Sequence, residues 1–255
     1  MRLDGVSAIV TGGMSGLGLS TARHLLGHGA WVTIVDLERS RDSRTLDELG
    51  DHARFVPGDV TVTDDVEGAI EQAGQDGPVR ALVHCAGRGS DRLRIVDREH
   101  RPGPLESFTE VVTTNLVGTY NVLRLVASAM SRNEPVDGSR GACVLTASVA
   151  AFDGQIGQTS YTASKAGVHG MTLVAARDLA RHGIRVNTIA PGTFDTPMLA
   201  RLREDLREQL AAAVPHPSRL GRADEFGDLA VSVLRNDYLN GETIRLDGAI
   251  RMPPR

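Results

Sequence analysis

Tyr161 and Lys165 are the two residues of this sequence whose types and spacing most directly suggest chemistry. They stand four positions apart in the string YTASK, so on a helix both side chains lie on one face. A free tyrosine, with a pKa near ~10, is a poor base at neutral pH. A nearby ammonium group favours the phenolate and lowers that pKa, and the pair would then exchange a proton with an alcohol or a carbonyl. The alternative is a surface helix that carries both residues by chance.

A glycine-rich turn near the N-terminus suggests phosphate binding. In TGGMSGLG, Gly12, Gly16 and Gly18 follow the first apolar run and open a helical pattern. Glycine permits a tight turn and a close approach of the backbone to a pyrophosphate, and a helix N-terminus supplies free N–H groups. We include Ser15 and Leu17 of the same turn in the predicted cofactor site. An ordinary glycine turn is the alternative, but the position between a strand and a helix favours the cofactor.

An acidic residue at the end of the second apolar run bears on the choice of cofactor. Asp36 can accept hydrogen bonds from the adenosine ribose hydroxyls and would repel a 2′-phosphate. Met14 and Ser15 occupy the part of the glycine turn where an arginine would receive that phosphate. The sequence therefore predicts NAD(H) rather than NADP(H), with Leu37 also in the site. The alternative role for Asp36 is that of a helix N-cap.

The elements that must position these residues alternate along the chain. Short apolar runs are separated by helical patterns, among them predicted helices over 38–49, about 104–131 and 224–234. Strands that are apolar throughout and separated by helices indicate a parallel sheet that is covered on both faces. We predict an α/β fold, a single-domain Rossmann-type doubly wound parallel sheet over 1–255, with insertions near 88–104 and 194–221. Such sheets bind ligands at the carboxyl ends of their strands.

Composition narrows the functional class. The chain has 255 residues, is 41% hydrophobic and carries a net charge of −4 with a pI of about 6.1. This charge does not favour a nucleic-acid or membrane-surface partner, and no stretch is long and apolar enough to span a bilayer. Cys85 and Cys143 lie in apolar runs, which predicts reduced thiols and a cytoplasmic protein. No spacing typical of a metal site is visible.

Further polar residues follow the predicted strands. Ser148 comes after the fifth strand, and Asp59 and Val60 end the third, where an adenine edge would lie. Asp59 is alternatively a plain turn residue. Asn115 stands inside the predicted 104–131 helix, where asparagine is a poor helix former. It either marks a kink that exposes a carbonyl group to water or is simply an exposed polar residue.

The order and spacing of these motifs resemble the short-chain dehydrogenase/reductase family over essentially the whole chain. The motifs are TGGMSGLG, DV at 59–60, AG at 86–87, Asn115, Ser148, YTASK and APG at 190–192. RNEP at 132–135, TASVAAFDGQIGQTSY at 146–161, HPSRLG at 216–221 and LNGETIRLDGAIRMPP at 239–254 resemble a subfamily, the type 2 3-hydroxyacyl-CoA dehydrogenases, also called type 10 17β-hydroxysteroid dehydrogenases. The family usually carries Asn-Asn-Ala-Gly after strand four, whereas this chain has His84 and Cys85 before Ala86. We interpret His84 as structural rather than catalytic.

The resemblance implies a role for each matching residue. Tyr161 is the acid/base, Lys165 lowers its pKa and binds the nicotinamide ribose, and Ser148 orients and polarises the carbonyl group. Asn115 holds a water molecule that links Lys165 to solvent, and Thr193 seats the nicotinamide carboxamide. The implied cofactor site also includes Cys85, Ala86, Gly87, Pro191 and Gly192.

The same resemblance implies an NAD-dependent homotetramer that oxidises (S)-3-hydroxyacyl-CoA to 3-oxoacyl-CoA. Rival functions within the class are a hydroxysteroid or small-alcohol dehydrogenase and a 3-oxoacyl-carrier-protein reductase. A protein of another class, an NAD-sensing or scaffolding module without catalysis, is disfavoured by the intact set of four catalytic residues.

The two insertions are the predicted source of substrate specificity. The first carries five arginines, at 88, 92, 94, 98 and 101, against acids at 91, 97 and 99. Its arginines either meet coenzyme A phosphates or form a solvated charged loop. The second supplies Phe194, Met198, Leu199, Leu202 and Leu206, either as an apolar lid over the substrate or as core packing. Gln155 and Gln158 are predicted to line the substrate pocket.

Overall fold

A computed structural model describes residues 1–90, 92–197, 199–200 and 203–254. The strands are β1 Ser7–Thr11, β2 Trp31–Asp36, β3 Ala53–Pro57, β4 Val79–His84, β5 Gly141–Thr146, β6 Ile184–Pro191, β7 Phe194–Asp195, β8 Gly221–Arg222 and β9 Thr243–Leu246. The α-helices are α1 Gly16–Gly27, α2 Ser43–Leu49, α3 Thr63–Gly74, α4 Leu105–Val112, α5 Gly118–Ser131, α6 Thr159–Leu179, α7 Glu204–Ala212 and α8 Ala223–Arg235.

Seven of these strands form one parallel sheet in the order β3-β2-β1-β4-β5-β6-β9. The chain runs outward from β1 to β3 and then returns to place β4 on the other side of β1. Thr11 at the end of β1 is therefore in register with His84 at the end of β4. A crevice opens at such a reversal of strand order, and ligands of α/β sheets bind there.

Two apolar clusters cover the two faces of the sheet. One joins α3, α5 and α6 to the sheet and includes Leu82 and Val126, whereas the other joins α1 and α8 and includes Ile34 and Phe226. Strand residues of both clusters are almost fully buried, as a sheet with helices on both sides requires. The predicted doubly wound α/β fold is confirmed. Within the described part of the chain, no helix is long and apolar enough to cross a membrane.

Two predicted helices differ in detail from the observed ones. The prediction over 38–49 is wrong as one helix, because a short 3₁₀ turn, Glu38–Ser40, ends before Asp42. The Asp42 carboxylate accepts a hydrogen bond from the backbone N–H of Arg44 and caps a new helix, α2. The helix predicted over 104–131 is continuous but contains a π-helical turn, Thr113–Val117, between α4 and α5.

Candidate active site

The glycine turn after β1 brings the backbone of two strands close together. Gly12 has a φ of 64°, and a Cβ there would lie 2.8 Å from the backbone nitrogen of Ala86. A Cβ at Gly18 would overlap the carbonyl oxygen of Gly12. Both positions therefore need glycine, one for its conformation and one for the close approach. The turn leads into α1, where the Ser15 side chain forms no capping hydrogen bond with the described residues. The first N–H groups of α1 therefore have no side-chain cap there, which suits an anion such as a pyrophosphate.

Asp36 lies beside this turn, at the end of β2. Its carboxylate accepts hydrogen bonds from the backbone N–H of Met14, at 3.1 Å, and from that of Leu37, at 2.8 Å. These contacts fix the carboxylate next to the glycine turn, where the ribose of a dinucleotide would lie. The prediction of Asp36 as a helix N-cap has no such support, because Leu37 is the residue that precedes the 3₁₀ turn.

Asp59 shapes the loop after β3. Its carboxylate accepts hydrogen bonds from the backbone N–H of Thr61, at 2.9 Å, and from the Thr61 hydroxyl, at 2.8 Å. Its own N–H donates to Asp65 at 2.8 Å. Both interactions hold a turn, which is the alternative that the sequence left open for this residue. Val60, 6% exposed, packs into the core beside it.

The end of β6 offers a group that fits a nicotinamide amide. The Thr193 hydroxyl is buried and has no hydrogen-bond partner among the described residues. Pro191 ends β6, and Gly192 donates its N–H to the carbonyl of Leu246 at 2.9 Å, which anchors the loop to β9. A buried hydroxyl without a partner is unfavourable unless a ligand satisfies it. Together with the glycine cradle and Asp36, Thr193 makes the crevice fit a nicotinamide dinucleotide.

Ser148, Tyr161 and Lys165 lie together at the carboxyl end of β5. Ser148 follows β5, and its hydroxyl lies close enough to the Tyr161 phenol to lower the pKa of that phenol. Lys165 is 5% exposed, and its Nζ donates to the carbonyl of Thr146 at 2.8 Å. The same nitrogen lies 5.9 Å from the centre of the Tyr161 ring. The three predicted side chains are thus brought into one site by β5 and the first turns of α6.

The pKa values of this site are governed by burial. Burial lowers the pKa of Lys165 to about 8, so the amine is still mostly protonated at neutral pH. For Tyr161 the sequence predicts a lowered pKa, and the structure shows the opposite direction. Burial raises the pKa of Tyr161, and the neighbouring Ser148 hydroxyl offsets part of that rise. The phenol is therefore protonated at neutral pH and able to donate a proton.

Asn115 is fully buried in the π-helical turn, which excludes the alternative of an exposed polar residue. Its side-chain oxygen accepts from the backbone N–H of Arg88 at 2.8 Å, and its side-chain nitrogen donates to the Arg88 carbonyl at 3.0 Å. The same nitrogen lies 3.3 Å from the Ser164 hydroxyl. Gly87 lies against it, since a Cβ there would be 3.1 Å from the Asn115 oxygen and 3.6 Å from Lys165 Nζ. The side chain therefore clamps the chain that leaves β4.

Two threonines that complete the site were not identified from the sequence. Thr146 supplies the acceptor for Lys165, and its hydroxyl lies 3.7 Å from the Cys85 sulfur. Thr11 accepts from the N–H of Ala86 at 3.2 Å and so ties the end of β1 to the chain after β4. Both threonines are the last residues of their strands. A polar residue that ends an otherwise apolar strand is the pattern that could have identified them.

Comparisons with known proteins agree with this geometry. A family model described as short chain dehydrogenase matches residues 7–207. The chain belongs to the short-chain dehydrogenase family. A 3-hydroxyacyl-CoA dehydrogenase type-2 of Bos taurus is 49% identical over 254 residues, which cover 99% of this chain and 97% of the relative. The enzyme of that name from Drosophila melanogaster is 50% identical over 249 residues, which cover 97% and 98%.

A solved structure gives the same result for the fold. The crystal structure of 3-hydroxyacyl-CoA dehydrogenase type-2 from Mycobacterium avium superposes with a TM-score of 0.95 at 50% identity, covering 98% of each chain. This short-chain dehydrogenase is therefore an oxidoreductase with the fold of its family. Enzymes of the family generally use NAD or NADP.

The predicted substrate residues of this short-chain dehydrogenase do not cluster in one place, unlike the predicted catalytic residues. Phe194 is 6% exposed and meets Phe226 edge to face at 6.5 Å between ring centres, which favours core packing over a lid. Leu199 is half-buried and Leu206 is exposed, while Met198 and Leu202 lie outside the described residues.

Gln155 and Gln158 are placed by the C-terminal segment of this short-chain dehydrogenase. The backbone N–H of Gln155 donates to the Gln158 side chain at 3.1 Å, and the Gln155 side chain donates to the carbonyl of Pro253 at 3.1 Å. The N–H of Ile156 donates to the carbonyl of Pro254 at 3.0 Å. The chain end thus fixes the loop that precedes Tyr161, and both glutamines form part of that loop.

The arginine-rich insertion is partly neutralised within the dehydrogenase itself. Arg88 pairs with Glu110 at 2.9 Å, and Arg101 pairs with Asp97 and Glu99 at 2.8 and 3.0 Å. Asp91, the third predicted acid, lies outside the described residues. An apolar groove of about 220 Å³ lies between this insertion and the starts of α4 and α6. It is lined by Leu93, Arg94, Ile95, Leu105, Phe108 and Ser160.

Proposed function

We propose that this short-chain dehydrogenase interconverts 3-hydroxyacyl-CoA and 3-oxoacyl-CoA, using NAD(H). The observation that carries the proposal is the placement of the Ser148 hydroxyl and the Tyr161 phenol beside each other and near the buried Lys165 amine, at the carboxyl end of β5. This arrangement suits hydride transfer to or from a secondary alcohol carbon. The full-length relatives named as 3-hydroxyacyl-CoA dehydrogenases support this substrate class over a steroid or a small alcohol.

In the reduction, the protonated phenol of Tyr161 donates its proton to the carbonyl oxygen. A nicotinamide cofactor held by the glycine turn, Asp36 and Thr193 would supply the hydride. The Ser148 hydroxyl lies beside the same phenol and would polarise the same carbonyl oxygen by donating a hydrogen bond to it. The buried charge on Lys165 stabilises the phenolate that remains. In the oxidation, the phenolate takes the proton back from the alcohol.

The preference for NAD(H) over NADP(H) is supported by Asp36. Two backbone N–H groups hold its carboxylate in place, so a 2′-phosphate would meet a fixed negative charge. The Asp36→Asn variant keeps the size of the side chain and removes the charge. We expect it to raise kcat/KM for NADPH relative to NADH by about 10-fold, on the scale of one charge contact. An unchanged ratio would contradict the role given to Asp36.

The insertion is proposed as the contact for the coenzyme A phosphates. Arg94 lines the apolar groove beside α6, and guanidinium groups suit phosphate oxygens. The test is the double variant Arg92→Ala/Arg94→Ala, with Arg44→Ala on the exposed face of α2 as a matched control. We expect the KM for acetoacetyl-CoA to rise about 10-fold in the double variant only. The KM for a short acetoacetyl thioester without the nucleotide should stay unchanged, and an unchanged KM for acetoacetyl-CoA contradicts the proposal.

Oligomerisation and location belong to the same proposal. Val117, Tyr120, Leu173 and Val174 leave apolar surface exposed on α5, α6 and the turn before α5, at 50, 58, 45 and 65% exposure. Exposed apolar helix faces of this kind suit packing against further copies, and we propose a homotetramer, tested by light scattering after size exclusion. We also propose a cytoplasmic location, supported by the two free thiols, Cys85 and Cys143, and tested by cell fractionation.

The experiment that tests the proposed reaction is NADH-dependent reduction of acetoacetyl-CoA, followed by the absorbance of NADH. The comparison arms are NADPH, a 3-oxoacyl-carrier protein, and a steroid ketone. The Tyr161→Phe variant should lose turnover by at least about 1,000-fold and still bind NADH, because only the proton donor is removed. Turnover that persists in this variant would refute the mechanism. Turnover with only the steroid ketone or only the carrier protein would refute acyl-CoA as the substrate class, while the assignment to the short-chain dehydrogenase family would stand.

A further inference from the structure

A buried histidine links the two strands that flank the crevice to the helix that carries Asn115. His84 ends β4 and is 1% exposed. Its Nδ1 lies 2.8 Å from the Thr11 hydroxyl, and its Nε2 lies 2.9 Å from the Thr119 hydroxyl. The Thr119 hydroxyl also lies 2.6 Å from the backbone carbonyl oxygen of Asn115. Both ring nitrogens of His84 thus have a hydrogen-bond partner, one on β1 and the other on α5.

These contacts form a row of hydrogen bonds that runs from the Ala86 N–H through Thr11, His84 and Thr119 to the Asn115 carbonyl. The direction of every hydrogen bond in this row follows from the groups at its two ends. The Asn115 carbonyl can only accept, so the Thr119 hydroxyl donates to it and must accept from His84. The proton of the imidazole is therefore on Nε2, and Nδ1 accepts from the Thr11 hydroxyl. The Thr11 oxygen in turn accepts from the backbone N–H of Ala86, at 3.2 Å. A single tautomer of His84 satisfies all four contacts.

This row of groups cannot move a proton. Its ends are a backbone N–H and a backbone carbonyl, neither of which exchanges a proton during a reaction. His84 is also neutral, because burial and the charge of Lys165 lower its pKa to about 3. An acid/base role for His84 is therefore excluded by its partners as well as by its burial.

We propose that His84 is a positioning residue, which acts on catalysis by fixing the π-helical turn of Asn115 against the ends of β1 and β4. From Asn115 the contacts continue to the catalytic helix. Its side chain holds both backbone groups of Arg88 and lies 3.3 Å from the Ser164 hydroxyl. That hydroxyl donates to the backbone carbonyl of Tyr161 at 2.8 Å. A shift of the Asn115 turn is thereby transmitted to the backbone that carries the proton donor.

The first test removes one hydroxyl of the row. Thr119→Val keeps the shape of the side chain and leaves His84 Nε2 and the Asn115 carbonyl without their partner. We expect kcat for acetoacetyl-CoA reduction to fall about 10-fold with KM for NADH within about 2-fold, because misplacing a reacting group affects the rate more than the binding. Thr119→Ser restores the hydroxyl and should restore kcat.

A matched control is present on α6. Thr172, like Thr119, is buried and donates its hydroxyl to the carbonyl four residues earlier, at 2.8 Å, but it lies toward the far end of the helix from Tyr161. Thr172→Val should lower the midpoint of thermal unfolding and leave kcat unchanged. An equal fall of kcat in both valine variants would overturn the proposal, since it would reflect stability alone. A wild-type kcat in Thr119→Val would also overturn it.

A second test uses the histidine itself and remains available if Thr119→Val does not fold. The side-chain amide of His84→Gln can still donate to Thr119, whereas the leucine of His84→Leu can form no hydrogen bond with either Thr11 or Thr119. We expect the glutamine variant to keep kcat within about 3-fold and the leucine variant to lose about 10-fold or more. The pH–rate profile of His84→Gln should have the wild-type midpoints. A limb of the profile that disappears with His84 would show proton transfer and overturn the proposal.

The kinetic tests rest on the proposed function, so one readout does not depend on turnover. Nitrogen NMR of ¹⁵N-histidine should show His84 as the Nε2–H tautomer with no titration between pH ~5 and ~9. If the protein lacks acetoacetyl-CoA activity but shows this signal, the proposed substrate is refuted, while the inferred hydrogen bonds of His84 are supported. A titrating or Nδ1–H imidazole would refute the row itself.

Discussion

Replacing Lys165 with methionine should change how folding stability depends on pH. The amine is 5% exposed, and burial lowers its pKa from 10.5 to about 8. In the unfolded chain the pKa returns to its ordinary value, so between the two values the unfolded state binds more protons than the folded state. Stability therefore rises with pH over this window, from about 8 up to 10.5. Lys165 is the only lysine in the sequence, so no second lysine contributes to this dependence.

The size of the effect follows from the two pKa values. Between pH ~6.5 and ~9 the folded amine loses about 0.9 of a proton, whereas the unfolded amine keeps nearly all of it. Integration over this interval gives a gain of about 1.4 kcal/mol for the wild-type protein, which the Lys165→Met variant lacks. Methionine also leaves the Thr146 carbonyl without its donor, at a cost of about 1–3 kcal/mol that does not depend on pH. The pH slope is therefore the test, rather than the offset.

The assay is urea unfolding of both proteins at one fixed concentration, in steps from pH ~6.5 to ~9. The pKa values of Cys85 and Cys143 are raised by burial to about 11 and 12, and both thiols are present in each protein, so their contributions largely cancel in the difference. Across this pH range the free energy of unfolding of the wild-type protein should rise by about 1.4 kcal/mol relative to that of the variant. A difference that stays constant with pH would mean that the amine keeps an ordinary pKa, and would refute the argument from burial.

Three further predictions concern the turn, the thiols and the core. Gly18→Ala should weaken NADH binding at least about 10-fold, because its Cβ overlaps the Gly12 carbonyl, whereas Gly68→Ala on α3, where a Cβ meets open space, should leave binding unchanged by fluorescence titration. Cys143 should react with a disulfide reagent at pH ~8 far more slowly in the folded protein than in urea, because burial raises its thiol pKa to about 12. Phe226→Ala should lower the free energy of unfolding by about 3–5 kcal/mol in urea titrations, because the ring is fully buried.

The fold, and the clustering of the candidate catalytic residues in one site, were predictable because their signals are local in sequence. The glycine turn, the apolar strands and the spacing of Tyr161 and Lys165 each occupy a few consecutive positions. The parallel sheet then brings the carboxyl ends of distant strands to one edge without further information. The family resemblance added the roles of Ser148 and Asn115, and the structure places both side chains beside the Tyr161 helix.

The features that could not be predicted depend on contacts between distant segments. The position of Phe194 in the core depends on Phe226, which belongs to α8 on the same face of the sheet. The direction of the Tyr161 pKa depends on how deeply the phenol is buried, and spacing on a helix carries no information on burial. His84 was visible in the sequence only as a departure from the family pattern. Its two partners, Thr11 and Thr119, come from β1 and α5, so only the assembled fold shows what the imidazole connects.

The single lysine explains why burial and charge can coexist in this site. The chain carries 28 lysine and arginine residues, and every one except Lys165 is arginine. A guanidinium group has five N–H donors and a pKa above ~12, so a buried position must supply several acceptors for it. Arg185, the buried arginine of β6, meets most of that demand by donating to the carbonyls of Val233, Leu234 and Leu239, although its Nε has no partner among the described residues. Around Lys165 the Thr146 carbonyl is the hydrogen-bond acceptor that the described residues provide. An ammonium group has three N–H donors and therefore needs fewer acceptors at this buried position than a guanidinium group would. The N–H groups of Lys165 that do not donate to Thr146 are free to face the crevice in which ribose hydroxyls would lie.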